Sequence, residues 1–373
     1  MNSLLRPLWV LSLACIFALS PANALAQQYI FTNDNVANKG NSTTAMSVNG
    51  KGALKLLQTY PTGGKSAGGG YFAISTITSA KTRLGTCLFV SNGGDSSIAA
   101  FQMNLFHGTL TAVHGSPFSD GVNGAQHFGI GLTAGNHFLF AGNTNNNSIS
   151  VLRISPNCSL KLEKMVTVPG SPAGMKITPD GNVLITAYIG QVDSFKIDPA
   201  TGDLSELGPF TPKGSAAGVE ISCDSTTAYF GDAASNTQVE AFSISSTGEL
   251  KELNNFTNKN GQSSNNLVLS VDGKHLYVSN TMSSQITTLS VGSNGALTYD
   301  STVKLKKPGT YALGMATGTS GVDLFVSEQS ALESIGVLAT VGDTVKEVPG
   351  SPFQVMKNGP APAGLTAVPK ACN

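Results

Sequence analysis

A short apolar run closed by a polar residue returns seven times along this chain. The copies are Tyr29-Ile-Phe-Thr-Asn33, Leu88-Phe-Val-Ser-Asn92, Leu139-Phe-Ala-Gly-Asn143, Leu184-Ile-Thr-Ala-Tyr188, Ala228-Tyr-Phe-Gly-Asp232, Leu276-Tyr-Val-Ser-Asn280 and Leu324-Phe-Val-Ser-Glu328. Their last residues are spaced by 59, 51, 45, 44, 48 and 48 positions. Self-similarity at this period means stacked supersecondary units, none of which buries its apolar faces alone. Before each phrase except the first stands a small residue and a short apolar strand, as in Gly174-Met-Lys-Ile and Gly218-Val-Glu-Ile. After each comes a third strand and a turn, usually Gly-X-Leu, where glycine suits a positive φ. Cys158 takes the glycine position in one copy and predicts strain or a different turn there.

Each unit therefore reads as four strands, and short turns make neighbouring strands antiparallel. That is a β-propeller blade. The fold class is all-β, a seven-bladed β-propeller of four-stranded antiparallel blades. The first phrase lacks a strand before it, and the last apolar segment, Ala363 to Val368, has no phrase after it. Placing that segment inside the first blade closes the ring and removes two open sheet edges.

Composition adds an address. Arg6, the apolar run Leu8 to Leu19 and Ala24-Leu25-Ala26 read as a signal peptide over 1–26 with cleavage before Gln27. The expected destination is the periplasm or the medium. The remaining 27–373 spans 373 − 26 = 347 residues, about 50 per blade, and reads as one domain. No other apolar run is long enough for a membrane helix. Acidic and basic residues number 22 each and charged residues make up only 12%. Such a surface offers little to a phosphate backbone, so nucleic acid is not an expected partner. A monomer is expected. Cys87, Cys158, Cys223 and Cys372 allow three pairings, which sequence alone does not distinguish; some could equally stay as small buried thiols. The ring topology gives a preference for Cys87 with Cys372.

The phrases resemble the seven-bladed lactonase-type propellers, a group that includes 6-phosphogluconolactonase and carboxymuconate cyclase and overlaps the Tyr-Val-Thr-Asn surface-layer repeats. The resemblance rests on Val271-Asp-Gly-Lys-His-Leu-Tyr-Val-Ser-Asn280, on Ile197-Asp-Pro-Ala-Thr-Gly-Asp-Leu204 and on Gly-Ser-Pro-Phe at 115–118 and 350–353. It covers essentially all of 27–373 and implies a central pocket with a histidine, arginines and a glutamate. The Pro-Arg-His phrase of that family stands here as Ala125-Gln126-His127-Phe128, so only His127 carries over. Arg83 and Arg153 are the arginines after the leader, and neither falls near the presumed pocket.

Candidate chemistry is placed at the rim where first strands start and second strands finish. Lactone opening needs a base to activate water and a donor to hold the oxyanion. His127 with Asp232 or Glu328 would supply the first; Lys65, Lys213 or Lys307 would supply the second. Asn33, Asp34, Asn92, Asp95, Asn143, Tyr188 and Asn280 complete a ligand-binding rim. The recurring Asn is also read as a structural cap bonding nearby backbone. Lys176 and Glu220, at one offset in consecutive units, predict a structural ion pair. No cofactor fingerprint and no spaced metal-ligand pattern is present. Three functions remain: a binder of a small molecule or protein at the rim, a lactone hydrolase, and an envelope component.

Overall fold

The computed structural model describes residues 27–35, 40–67, 75–126, 129–188, 190–232, 238–258, 263–306, 311–318, 324–329, 334–341, 344–354 and 364–370. Those residues form seven antiparallel sheets, each with a path of four strands. From blade 1 to blade 7 the inner strands are Gly364–Val368, Ile77–Thr82, Ile130–Ala134, Gly174–Ile177, Ala216–Ile221, Ser264–Leu269 and Tyr311–Thr317. Each inner strand touches the next, and Gly364–Val368 touches both Tyr311–Thr317 and Ile77–Thr82. The contacts thus run in a closed circle. In blade 1 the N-terminal strand Tyr29–Asn33 pairs with Gly364–Val368, Tyr29 opposite Val368 and Asn33 opposite Gly364.

The seven phrases are the second strands, and their lack of polar alternation has a packing cause. Side chains on a strand point alternately to opposite faces, and here each face meets a different neighbouring blade. Leu88 and Val90 join the cluster shared with Phe31 of blade 1, whereas Phe89 joins the cluster shared with Leu139 of blade 3. Tyr277 and its neighbours Leu276 and Val278 divide in the same way. Outer strands recover the alternation: Leu250–Thr257 is exposed at every second residue. The hydrophobic core is therefore a set of wedges between blades.

Third and outer strands of blades 1, 3, 4, 5 and 6 carry a register shift at one level, for example between Val151 and Leu152 or Ala241 and Phe242. Blades 2 and 7 break the outer strand instead, using the two Gly-Ser-Pro-Phe motifs. There Ser116 Oγ accepts the Ala100 amide and Ser351 Oγ accepts the Val337 amide, both at 2.9 Å, where a ladder carbonyl would otherwise serve.

The turn between third and outer strands explains its glycines. A Cβ on Gly108 would lie 2.3 Å from the Tyr29 ring, and Gly202, Gly248 and Gly295 similarly abut Phe138, Val183 and Thr227 of the preceding blade. Each glycine also has positive φ. Cys158 holds the equivalent position with φ +68°, and its sulfur is bonded to Cys87 of the preceding blade. The pairing favoured by ring topology, Cys87 with Cys372, is thus replaced by Cys87–Cys158, because the turn of one blade packs directly on the second strand of its neighbour. Cys223 is also disulfide-bonded; Cys372 lies outside the described residues.

Candidate functional site: a cavity in the central channel

Inner strands crowd at the end where they begin. A Cβ on Gly174 would come within 1.9 Å of the Ala217 carbonyl oxygen, on Gly218 within 2.2 Å of the Asn265 carbonyl, and on Gly364 within 2.4 Å of Thr76 Oγ1. Glycine is the residue that permits such backbone approach. The ring is tight at that level and leaves space further along the axis. A cavity of about 350 Å³ opens there, lined by residues of all seven inner strands and by Lys370.

Strand register identifies one complete layer of this wall. Opposite the second residue of each phrase stand Ala367, Thr78, Thr133, Lys176, Glu220, Val268 and Ala316, in blades 1 to 7. All seven line the cavity. Blades 2 to 5 give it a polar arc, and blades 6, 7 and 1 an aliphatic arc with two alanines. Lys176 Nζ donates to Glu220 Oε1, which also accepts the Ile221 amide at 2.8 Å. Lys370 reaches across from the end of the closing strand, donating to Thr78 Oγ1 at 3.0 Å and to the Ser79 carbonyl at 2.7 Å. Burial, then the Lys176 charge, lowers the Lys370 ammonium from its ordinary value to about 8, while Glu220 opposes the shift.

The rim residues expected from sequence lie elsewhere, and most are structural. Asn33 Nδ2 donates to the Ser91 carbonyl at 3.0 Å and the Thr76 carbonyl at 3.3 Å, fastening blade 1 to blade 2. Asn92 accepts from Asn41 and Thr62 of blade 1, while Asn143 and Asn280 bond hydroxyls within their own blades. The recurring Asn therefore works largely through side chains, and through backbone mainly at Asn33. Asp34 is buried beneath the hydroxyls of Thr32, Ser42 and Thr44, and burial raises its pKa in spite of them. Asp95 is exposed and accepts the Lys65 amide at 2.8 Å. Tyr188 is buried, and burial followed by the Asp193 charge pushes its phenol upward.

Asp232 and Glu328, proposed partners of a general base, are both buried, at 2% and 0% exposure. Asp232 Oδ1 accepts the Ser215 amide at 2.9 Å, and Glu328 packs against Gly336. Neither lines the cavity. His127 and Lys307 lie outside the described residues. Lys213 pairs with Glu252, and Arg153 lies over the Phe138 ring and bonds Glu163. Among the described residues no three His, Cys, Asp or Glu converge as metal ligands.

Two groups escaped the sequence reading. Asp120 is fully buried after the broken outer strand of blade 2, and its Oδ1 accepts the Val122 amide at 2.8 Å. Burial, aided by the Asp95 charge, raises it to about 7. Lys370 was missed because its strand closes the ring. Elsewhere the inner strand runs into a hairpin whose acid caps the turn, as Asp180, Asp224 and Asp272 do for Thr178, Ser222 and Ser270. Lys370, just past the closing strand, reaches blade 2 instead.

With this geometry in view, known proteins give a consistent placement. The family model described as Lactonase, 7-bladed beta-propeller, matches residues 114–217 and 185–313, together more than half the chain. A candidate 6-phosphogluconolactonase from Bacteroides fragilis aligns with TM-score 0.72 at 18% identity, over 94% of this chain and 100% of that one. The periplasmic gluconolactonase of Pseudomonas aeruginosa aligns with TM-score 0.68 at 18% identity, over 90% and 97%. A Lactobacillus plantarum protein aligns with TM-score 0.72 at 16% identity, over 92% and 99%. No curated protein matches the chain. At these identities the solved structures share the fold, and the family match decides the placement: this chain belongs to the seven-bladed β-propeller lactonase family.

Proposed function

We propose that this chain is an exported member of that family that binds a small molecule in the central channel. The observation that carries this reading is the half-polar, half-aliphatic cavity of about 350 Å³, of a size and lining usual for small-molecule sites. Hydrolysis finds less support. Asp232 and Glu328 are buried away from the cavity, and Glu220 already accepts a bond from Lys176. Export is supported by the signal-peptide pattern over 1–26 and by the Cys87–Cys158 bond, which suits an oxidising compartment.

The second reading, lactone hydrolysis, is favoured by the gluconolactonase names carried by two structural neighbours. One experiment separates the two. Binding of D-gluconolactam is measured by calorimetry and opening of D-glucono-δ-lactone by pH-stat, for the mature protein, His127→Ala and Ala316→Phe. Binding without ring opening above buffer, lost in Ala316→Phe and unchanged in His127→Ala, is the expected result. Turnover that falls in His127→Ala would replace binding with hydrolysis.

A further inference from the structure

We infer that blades 1 and 2 dock on an anionic lipid surface through the end where inner strands finish and second strands begin. Phe106, Leu105 and Leu84 enter the headgroup layer, and Lys51, Lys55, Lys81 and Arg83 meet its charge. This holds whether or not the channel takes a ligand. The repeat supplies its own control. Before the glycine of the turn between third and outer strands, blade 4 has Pro199-Ala200-Thr201, blade 5 Ser246-Thr247 and blade 6 Ser293-Asn294. Blade 2 has Leu105-Phe106-His107 in that place, and Phe106 is 84% exposed. The hairpin between inner and second strands departs in the same direction. Asp180, Asp224 and Asp272 cap it in blades 4, 5 and 6. Blade 2 has Lys81-Thr82-Arg83-Leu84 instead, with Leu84 60% exposed.

The two turns lie side by side, because Thr86 pairs with Met103 where their strands begin and end. The Phe106 turn is held firmly. Asn104 Oδ1 accepts the Phe106 amide at 2.9 Å and the His107 amide at 3.2 Å, and the Asn104 carbonyl accepts the Gly108 amide at 2.8 Å. Tyr29 of blade 1 donates its hydroxyl to the Phe106 carbonyl at 2.9 Å, and Gly108 abuts Leu57 of the same blade. Exposed Leu56 follows Lys55 on that outer strand. The turn thus carries an apolar ring out into water, where it adds nothing to the core; neighbouring exposed apolar groups mark an interaction surface.

Charge names the partner. From Gln27 to Ser119 the carboxylates are Asp34 and Asp95 alone, and both follow second strands at the opposite end. Lys51, Lys55, Lys81 and Arg83 are exposed at the end considered, with no carboxylate of their own blades there. Blade 3 adds one, Glu163, which is taken by Arg153 and Lys161. Lys370 stands at the same end and is already engaged with blade 2. Across the ring the same end is acidic, with Asp180, Asp198, Asp224, Glu249 and Asp272 exposed. An anionic surface therefore attracts blades 1 and 2 and repels blades 4 to 6, which sets a tilt. Shape favours lipid over protein. Apolar tips on projecting turns need a matching pocket in a protein, whereas a fluid headgroup layer receives them anywhere.

Flotation of the mature protein at low salt tests this, with vesicles of phosphatidylcholine alone and with about 30 mol% phosphatidylglycerol added. Binding is expected to the anionic vesicles only, and to fade as salt is raised. Phe106→Ser should weaken it at least about tenfold, and Lys55→Gln with Arg83→Gln by roughly 25-fold. Val271→Ser, an exposed apolar residue beside Asp272 at the same end, should leave it unchanged. All these positions are exposed, and the salt and lipid dependence of the unaltered protein stands without any variant. No flotation with anionic vesicles overturns the inference, as does equal flotation with phosphatidylcholine alone. Equal losses in Phe106→Ser and Val271→Ser also overturn it, because docking would then not be through blades 1 and 2. A dimer by light scattering that Phe106→Ser makes monomeric, without flotation, would assign the surface to a second copy of the chain instead.

Discussion

Removing the bond between Cys87 and Cys158 isolates how the repeat is braced. The bond joins blade 2 to blade 3 across a separation of 71 residues. Loop-closure entropy for that span amounts to about 4 kcal/mol lost from the unfolded chain. The ring-closing strand does not substitute for it, because that pairing is absent once the chain unfolds. Two double variants divide the contributions: Cys87→Ala with Cys158→Ala, and Cys87→Ala with Cys158→Gly. Both lose the cross-link, but Cys158 sits at φ +68°, where glycine is unstrained and alanine is not. The glycine variant should retain about 1 kcal/mol more than the alanine variant. Urea unfolding followed by circular dichroism suits a chain whose sequence contains Trp only at position 9. The urea dependence should also steepen as the unfolded chain expands. Double variants within about 1 kcal/mol of wild type would refute the entropy argument, given its size. Equal stability of the two would refute the claim that the turn imposes a left-handed residue.

Two further outcomes follow from the same structure. Gly174→Ala drives a Cβ to 1.9 Å from a backbone oxygen and should cost about 3 kcal/mol in urea unfolding, whereas Gly50→Ala, with nothing within 4 Å, should stay within about 0.5 kcal/mol. Asp120 has a folded pKa of about 7, raised from its ordinary 3.8, so the folded state holds its proton more firmly and stability drains away as pH climbs from about 4 to about 7. Asp120→Asn should therefore match wild type near pH 4 and exceed it by roughly 2–4 kcal/mol at pH 8; equal unfolding midpoints at pH 8 would count against a buried, costly carboxylate.

The blade count and the antiparallel order were readable because each phrase is apolar on both faces, which only a strand between two blades requires. The glycines of the third turn were readable too, since positive φ has a sequence signature. Which residue each glycine touches was not, and that contact decides the disulfide: Cys158 stands in the glycine position, so its partner had to come from the second strand of the preceding blade. Asn33 and Asp232 look like rim chemistry in sequence, yet Asn33 bonds the second strand of blade 2 and Asp232 accepts the amide just before the inner strand of its own blade. Polar residues at strand ends are as useful for satisfying buried backbone as for holding ligands, and sequence does not separate the two uses. The cavity layer stayed hidden because its distance to the phrase is nine residues in blades 4 to 7 but eleven in blade 2 and seven in blade 3, so one offset does not carry round the ring.

The antiparallel match of Tyr29 with Val368 gives the molecule a seam made from two strands far apart in the sequence. Until Gly364–Val368 pairs with Tyr29–Asn33, that sheet presents an unpaired edge, which is an invitation to join another nascent chain. Contacts this distant in sequence form slowly. A chaperone that shields residues 29–33 during synthesis, or a circular permutation that moves the seam into a loop between blades, would relieve the same hazard.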